Sequence, residues 1–85
     1  MIEIKTEYIK LDHIYQTKKY AELFDARYAL LISTEEIPEE IKRLSRVVYS
    51  LLSLPAYGKL ILAHFDSENE EFSEFYPENP FGKCY

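Results

Sequence analysis

The chain has 85 residues, of which 47% are hydrophobic and 29% are charged, and this composition is typical of one folded globular domain. Its formal net charge of −5 argues against a general nucleic-acid binder, which needs cations to displace the counterions of phosphate. The single Cys84 excludes an internal disulfide and a cysteine-rich zinc site, and we expect a cytoplasmic protein because neither a signal peptide nor a bilayer-spanning apolar run is visible.

The first two predicted elements are a strand and a helix. Residues 2–9 place Glu3, Lys5 and Glu7 at every second position, and this period of two predicts a half-buried strand. A helix is predicted over residues 12–24, with Asp12 as its N-cap, because a carboxylate can accept from the free N–H groups of a first turn. The side chains expected on its buried arc are His13, Ile14, Thr17, Tyr20, Ala21 and Phe24.

A second strand and a second helix follow. Residues 27–33 (RYALLIS) form a short apolar run that predicts a strand covered on both faces. Ser33 or Thr34 can cap a helix over residues 35–54, with Glu36 placed as in a capping box. The apolar arc predicted for this helix comprises Ile37, Ile41, Leu44, Val47, Val48, Leu51, Leu52 and Leu54.

Pro55 and Gly58 are expected to end the second helix, and residues 59–65 (KLILAHF) predict a third strand. Strands joined through helices by short connections are typical of parallel βαβ units with right-handed crossovers. The sequence therefore predicts one domain over residues 1–85 of the α/β class. Its body, residues 1–65, is a β-α-β-α-β arrangement with three mainly parallel strands and two helices.

Residues 66–85 form an acidic, aromatic segment that leaves several structures open. They hold six acidic residues and one basic residue, whereas the first 65 residues hold nine of each sign. Residues 71–76 suit either a fourth, antiparallel edge strand or a helix, because Phe72, Phe75 and Tyr76 have helical spacing. Residues 77–85 contain two prolines and are expected to pack as an extended arm or to fray.

Catalytic and ligand sites are weakly indicated. A phosphate site at the helix after Ser33 is disfavoured, because no glycine allows close backbone approach and several glutamates would repel an anion. Alternating carboxylates from Asp66 onwards lack the glycine of a calcium-binding EF-hand loop. His64 and Asp66 could serve acid–base chemistry, yet no motif supplies a nucleophile beside them. We therefore expect no catalytic residue, metal or cofactor.

The acidic, aromatic segment instead suggests binding to another protein, because ring anchors surrounded by charge are typical of protein interfaces. Alternatively, the rings close the sheet while the acids face water. We expect a small non-catalytic regulator or inhibitor, of the immunity, antitoxin or mobile-element-inhibitor kind, that binds a basic protein surface. Its predicted partner-binding residues are Asp66, Glu68, Glu70, Glu71, Phe72, Glu74, Phe75 and Tyr76.

Two further expectations concern the body of the protein. A sheet of three or four strands leaves an edge exposed, and such an edge favours pairing with a second copy, so a homodimer is expected. The alternative function is a dimeric nucleic-acid-binding regulator that uses Lys42, Arg43 and Arg46 on the polar face of the second helix. A solvated helix face is the simpler interpretation of these three cations.

Overall fold

The computed structural model describes residues 1–48, 50–54 and 58–77. These residues fold into two helices and a five-stranded sheet, which confirms the α/β prediction with more strands than expected. The elements in chain order are β1 (Ile2–Lys5), α1 (Leu11–Leu23), β2 (Tyr28–Ser33), α2 (Glu39–Val47), β3 (Ser53–Leu54), β4 (Gly58–Asp66) and β5 (Glu71–Tyr76).

The centre of the sheet is parallel and one of its sides is antiparallel. β2 lies between β1 and β4 and is parallel to both, with Leu30 opposite Ile2 and Leu31 opposite Leu62. The other side of β4 is shared, because β3 pairs with its beginning and β5 with its second half, both antiparallel. The antiparallel alternative for residues 71–76 is therefore confirmed, and the helical alternative is wrong.

Both helices pack on the same face of the sheet, as two successive right-handed crossovers between neighbouring parallel strands require. The alternate residues of β2 and β4 that point to this face join helix residues such as Ile14 and Ile41 in one buried cluster. Ile9, Leu51 and Leu54 complete this cluster from the loops and from β3. The main core thus lies between one helical layer and one sheet layer.

The opposite face of the sheet carries a second apolar cluster with no helix among its members in the part of the chain that the structure describes. Leu30, Ile32, Ile61 and Ala63 are buried there, and the rings of Phe65 and Phe75 pack against them. Both faces of β2 and β4 are therefore apolar, which explains why their sequences read as continuous hydrophobic runs.

The first strand and the first helix differ from their predicted ends. β1 ends at Lys5 rather than at residue 9, and the buried Ile9 belongs to the connection that follows. α1 begins after Lys10, so the prediction of Asp12 as N-cap is wrong, and Asp12 lies in the first turn. The N–H of Lys10 donates to Nδ1 of His13 over 3.0 Å, so an imidazole supports the N-terminus instead of a carboxylate.

The second helix is much shorter than predicted. Residues 35–38 are not helical and Pro38 is the N-cap, so the predicted cap at Ser33 or Thr34 is wrong. Oγ of Ser33 accepts from the N–H of Glu35 over 2.9 Å and donates to the carbonyl of Glu7 over 2.6 Å, a local turn that competes with helix formation. At the other end the helix stops at Val47, whose side chain is 75% exposed. Val48 is also exposed, whereas Leu51, Leu52 and Leu54 reach the core from a turn and from β3, at positions that fit a helical period although no helix is present there.

Some predictions concern residues outside the described ranges. All of the expected C-terminal arm except Pro77 lies there, whereas the predicted end of the second helix at Pro55 and Gly58 is wrong because α2 ends at Val47. Among the described residues, neither helix has the length or apolar character that a membrane span requires.

Candidate partner-binding site

A groove of about 830 Å³ opens at the carboxyl end of the parallel strands, which is where α/β proteins usually bind their ligands. Four segments surround it: the connection from β1 to α1, the start of α2 with the loop before it, the end of β4, and β5. The residues along the groove are Tyr8, Glu36, Ile37, Pro38, Glu39, Glu40, Lys42, His64, Asp66, Ser73 and Glu74.

The groove is strongly acidic, with five carboxylates among these residues and a single lysine. That lysine, Lys42 on α2, forms an ion pair with Glu74 on β5, and its side chain is only 18% exposed. The hydrogen bond to Glu74 raises the pKa of Lys42 above its ordinary value of 10.5, although partial burial opposes this shift. Because its charge is already compensated, the remaining carboxylates make the groove attractive to cationic groups.

An irregularity in the sheet places a hydroxyl beside His64. Opposite the step from His64 to Phe65, β5 passes from Glu74 to Phe72, so Ser73 is an extra residue that has no partner on β4. Such a β-bulge redirects the side chain that it carries. Oγ of Ser73 forms a hydrogen bond with Nδ1 of His64, which joins the two strands at the wall of the groove.

Asp66 holds the turn that connects β4 to β5. Its carboxylate accepts hydrogen bonds from the N–H of Glu68 over 3.0 Å and from the side-chain amide of Asn69 over 2.7 Å. The bonds from Asn69 are the main reason that the pKa of Asp66 lies below its ordinary value of 3.8. Asp66 therefore acts first as a structural residue of the hairpin, with Glu70 in the left-handed region at φ 53°.

The tip and outer part of this hairpin are exposed and carry three of the predicted acids. Glu68, Glu70 and Glu71 face solvent beside Phe72, whose side chain is 41% exposed. The ring of Phe72 packs edge-on against Phe65 with a centroid distance of 5.3 Å. The ring centroids of Phe72 and Phe75 lie 5.0 Å apart. We call Phe65, Phe72 and Phe75 the ring cluster.

Glu74 and Tyr76, also predicted to bind a partner, attach β5 to α2. The hydroxyl of Tyr76 lies 2.8 Å from Oγ of Ser45 and donates to the carbonyl of Lys42 over 3.2 Å. Nζ of Lys42 in turn lies 5.6 Å from the centre of the Tyr76 ring. These contacts and the ion pair to Glu74 give both side chains a structural role within the protein.

The basic residues of the alternative hypothesis do not form one free surface. Lys42 is occupied by Glu74, whereas Arg43 is exposed on α2. Nη2 of Arg46 lies 4.0 Å from Oε1 of Glu39, a loose contact between two exposed side chains. The positive potential that a phosphate backbone would meet at this face is therefore reduced by two neighbouring carboxylates.

Sequence reasoning missed Ser73 and Tyr8 as residues of the groove. Ser73 belongs to no recognisable motif, and its place beside His64 depends on a β-bulge that is visible only once the pairing of β4 with β5 is known. Tyr8 was assigned to the first strand, whereas it lies in the connection from β1 to α1. Within residues 1–48, 50–54 and 58–77, no three histidine, cysteine, aspartate or glutamate side chains are grouped so that they could hold a metal ion.

Comparisons with protein-family models, with curated proteins and with solved structures found no match to this chain.

Proposed function

We propose that this protein is a non-catalytic regulator that binds a basic surface of another protein through the β4–β5 hairpin and the adjoining acidic groove. The observation that carries the proposal is the hairpin itself, where Glu68, Glu70 and Glu71 are exposed beside the partly exposed ring of Phe72. Exposed aromatic rings bordered by charge are typical of the anchoring points of protein interfaces.

The groove supports the same partner chemistry. Glu36 and Glu40 border it from the α2 side, and neither has an ion-pair partner among the described residues. An arginine or lysine of the partner could enter at the carboxyl end of the sheet and meet these carboxylates. The acids would accelerate encounter with a basic partner, and the ring of Phe72 would supply apolar contact area.

The division of roles among the predicted residues sharpens the proposal. Asp66, Glu74 and Tyr76 hold the hairpin in place, because each is engaged within the protein. We therefore assign direct partner contact to Glu68, Glu70, Glu71 and Phe72. Phe75 lies against the apolar face of the sheet and supports the ring of Phe72 from below.

The test is affinity capture from the native host with three forms of the tagged protein. The hairpin variant carries Glu68→Lys and Glu71→Lys, and the matched control carries Asp12→Lys and Glu22→Lys, exposed acids on α1 that change the net charge equally. We expect the wild type and the control to retain a common protein that the hairpin variant loses. Binding should weaken as salt rises, since exposed charges are screened beyond about 8 Å at physiological ionic strength.

The proposal would be contradicted if the hairpin variant retained the common protein as well as the wild type does, or if salt did not change the amount retained. Capture of nucleic acid that is lost on Arg43→Ala and Arg46→Ala would favour the alternative regulator instead.

The proposal includes self-association. β1 is the last strand on its side of the sheet, and no described strand pairs with its outer edge. A homodimer formed there would leave the hairpin free for the partner, because the hairpin lies on the opposite side of the sheet, beyond β4.

A further inference from the structure

The outer edge of β1 presents the backbone groups of two residues to solvent. The carbonyls of Met1 and Lys5 accept hydrogen bonds from the N–H groups of Leu30 on β2 and of Thr34 directly after it, over 2.8 and 3.2 Å. Because successive residues of a strand direct their N–H and C=O groups to opposite edges, Ile2 and Ile4 direct theirs away from β2. Each of these two residues thus offers one donor and one acceptor to a further strand.

The side chains at this edge are unusual for an unpaired strand. Ile2 and Ile4 are 62% and 65% exposed, and they lie on the apolar face of the sheet beside Leu30 and Ile32. Glu3 and Lys5 alternate with them on the helical face, and neither has an ion-pair partner among the described residues. Proteins usually protect a free edge by charge or proline, whereas here an apolar pair accompanies two charges of opposite sign.

The strand is complementary to itself in one register. The outer edge of β1 can meet the same edge of a second copy only in antiparallel orientation, and residues with outward backbone groups must face one another. If the two-fold axis passes through Ile4, the two Ile4 residues form a hydrogen-bonded pair. Glu3 of each copy then lies directly opposite Lys5 of the other, in the closely spaced position that favours opposite charges.

The neighbouring registers are unfavourable. An axis at Glu3 would place the two Glu3 carboxylates opposite each other, and an axis at Lys5 would do the same for the two lysines. An axis at Ile2 would place Glu3 opposite Met1, so that no side chain of opposite charge would face it. Like charges directly opposite in a sheet are destabilising, so the charges of this short strand select the axis at Ile4.

We propose that two copies of this chain associate through antiparallel β1–β1 pairing centred on Ile4, which produces one continuous ten-stranded sheet. The inference specifies the self-association included in the proposed function, and it does not depend on the basic partner. The apolar faces of the two sheets become one surface at the junction, where the Ile4 side chains contact each other. A strand of four residues provides a small interface, so we expect a reversible, concentration-dependent dimer.

Charge exchange in the pure protein tests this interface. Sedimentation equilibrium over a concentration series is measured for the wild type, Glu3→Lys, Lys5→Glu and the double variant Glu3→Lys/Lys5→Glu. Each single variant places like charges opposite each other twice and should raise the dissociation constant about tenfold. The double variant restores two opposite-charge pairs and should return to the wild-type value. Circular dichroism checks that all four proteins remain folded.

Cross-linking tests the register. In a Cys84→Ser background, Ile4→Cys should form a disulfide-linked dimer on mild oxidation, because Cα atoms of a hydrogen-bonded antiparallel pair lie about 5.5 Å apart, within disulfide range. Ile2→Cys should form far less, since in this register residue 2 faces residue 6 of the other copy.

A monomer at every concentration would overturn the inference, as would single variants with unchanged association or preferential cross-linking at position 2. Partner capture by the hairpin is scored separately, in the wild type and in Glu3→Lys. A monomeric protein that still captures its partner would refute the dimer alone, and a dimer that captures nothing would refute the partner proposal alone.

Discussion

Lys42 on α2 and Glu74 on β5 form an ion pair between residues 32 positions apart in the chain. It joins the helical layer to the outermost antiparallel strand at the border of the acidic groove. The same strand is attached to the same helix by the hydroxyl of Tyr76. The position of the hairpin thus depends on a few polar contacts with α2, and these contacts can be removed singly.

Loss of the ion pair should loosen this attachment. We expect Lys42→Met and Glu74→Gln each to lower the free energy of unfolding, with a coupling energy of about 1 kcal/mol in a double-mutant cycle measured by denaturant unfolding. Arg43→Met, at an exposed neighbouring position, is the control and should have little effect. A coupling energy of zero would show that the two charges do not stabilise each other.

The ion pair also predicts a pH dependence at the alkaline end. The pKa of Lys42 is higher in the folded protein than its ordinary value of 10.5. The pair therefore contributes its full stabilisation below pH 10.5, and this contribution is lost as the pH rises through the folded-state pKa. The free energies of unfolding of the wild type and Lys42→Met should differ at neutral pH and converge as the pH rises above 10.5. Curves that keep a constant separation would contradict this expectation.

The hydroxyl of Tyr76 provides a second, independent tether. Tyr76→Phe removes its contacts with Oγ of Ser45 and with the carbonyl of Lys42 but keeps the ring, and we expect a loss of about 1 kcal/mol in the free energy of unfolding. Tyr15→Phe, on an exposed ring of α1, is the matched control. Equal stability of the two variants would indicate that the hydroxyl of Tyr76 contributes nothing.

The Asp66 turn predicts sensitivity to acid. Hydrogen bonds from Asn69 and Glu68 hold the pKa of Asp66 below its ordinary value of 3.8 in the folded protein. The stabilisation from these bonds is present above this pH and is lost as the pH falls through the folded-state pKa. Asp66→Ala should lower the unfolding midpoint at neutral pH. On acidification, the midpoint of this variant should fall less than that of the wild type, because the variant has no Asp66 carboxylate to protonate. Parallel acid profiles would rule out this role.

Gly58 should tolerate no side chain. A Cβ atom placed there would lie 2.2 Å from the carbonyl oxygen of Arg27, which accepts from the N–H of Lys59. We expect Gly58→Ala to cost about 1–3 kcal/mol of stability and Gly58→Val more, because β2 and β4 must separate locally. Glu71→Ala, at an exposed strand position, serves as the control in thermal unfolding. A neutral Gly58→Ala would mean that the strands adjust freely.

The parts of the fold that were predictable depend on local patterns. The apolar runs of β2 and β4 predict strands because both faces of these strands are apolar, and the spacing of residues 71–76 restricts them to two alternatives. The end of α2 was not predictable, because Leu51 and Leu54 are buried from a turn and from β3 at positions that also fit a helical period. The helical period therefore predicts that both residues are buried, but it does not predict the element that carries them.

The candidate site was predictable only in part, for a different reason. Its acids and rings are adjacent in the sequence, but their roles are assigned by distant residues such as Lys42 and Ser45. The groove itself combines the start of α2 with β4 and β5, and the bulge at Ser73 depends on pairing register. None of these relationships is encoded in a local spacing.

The shared edge of β4 has a consequence for motion. β3 and β5 pair with separate lengths of this strand, and neither hydrogen-bonds to the other. β5 can therefore detach from β4 as a cooperative unit while the parallel strands and β3 stay together, and the free energy of this opening is lower than that of global unfolding. Amide hydrogens of β5 would then exchange with solvent sooner than those in the hydrogen bonds between β2 and β4. A bound partner would slow this exchange by holding β5 against β4.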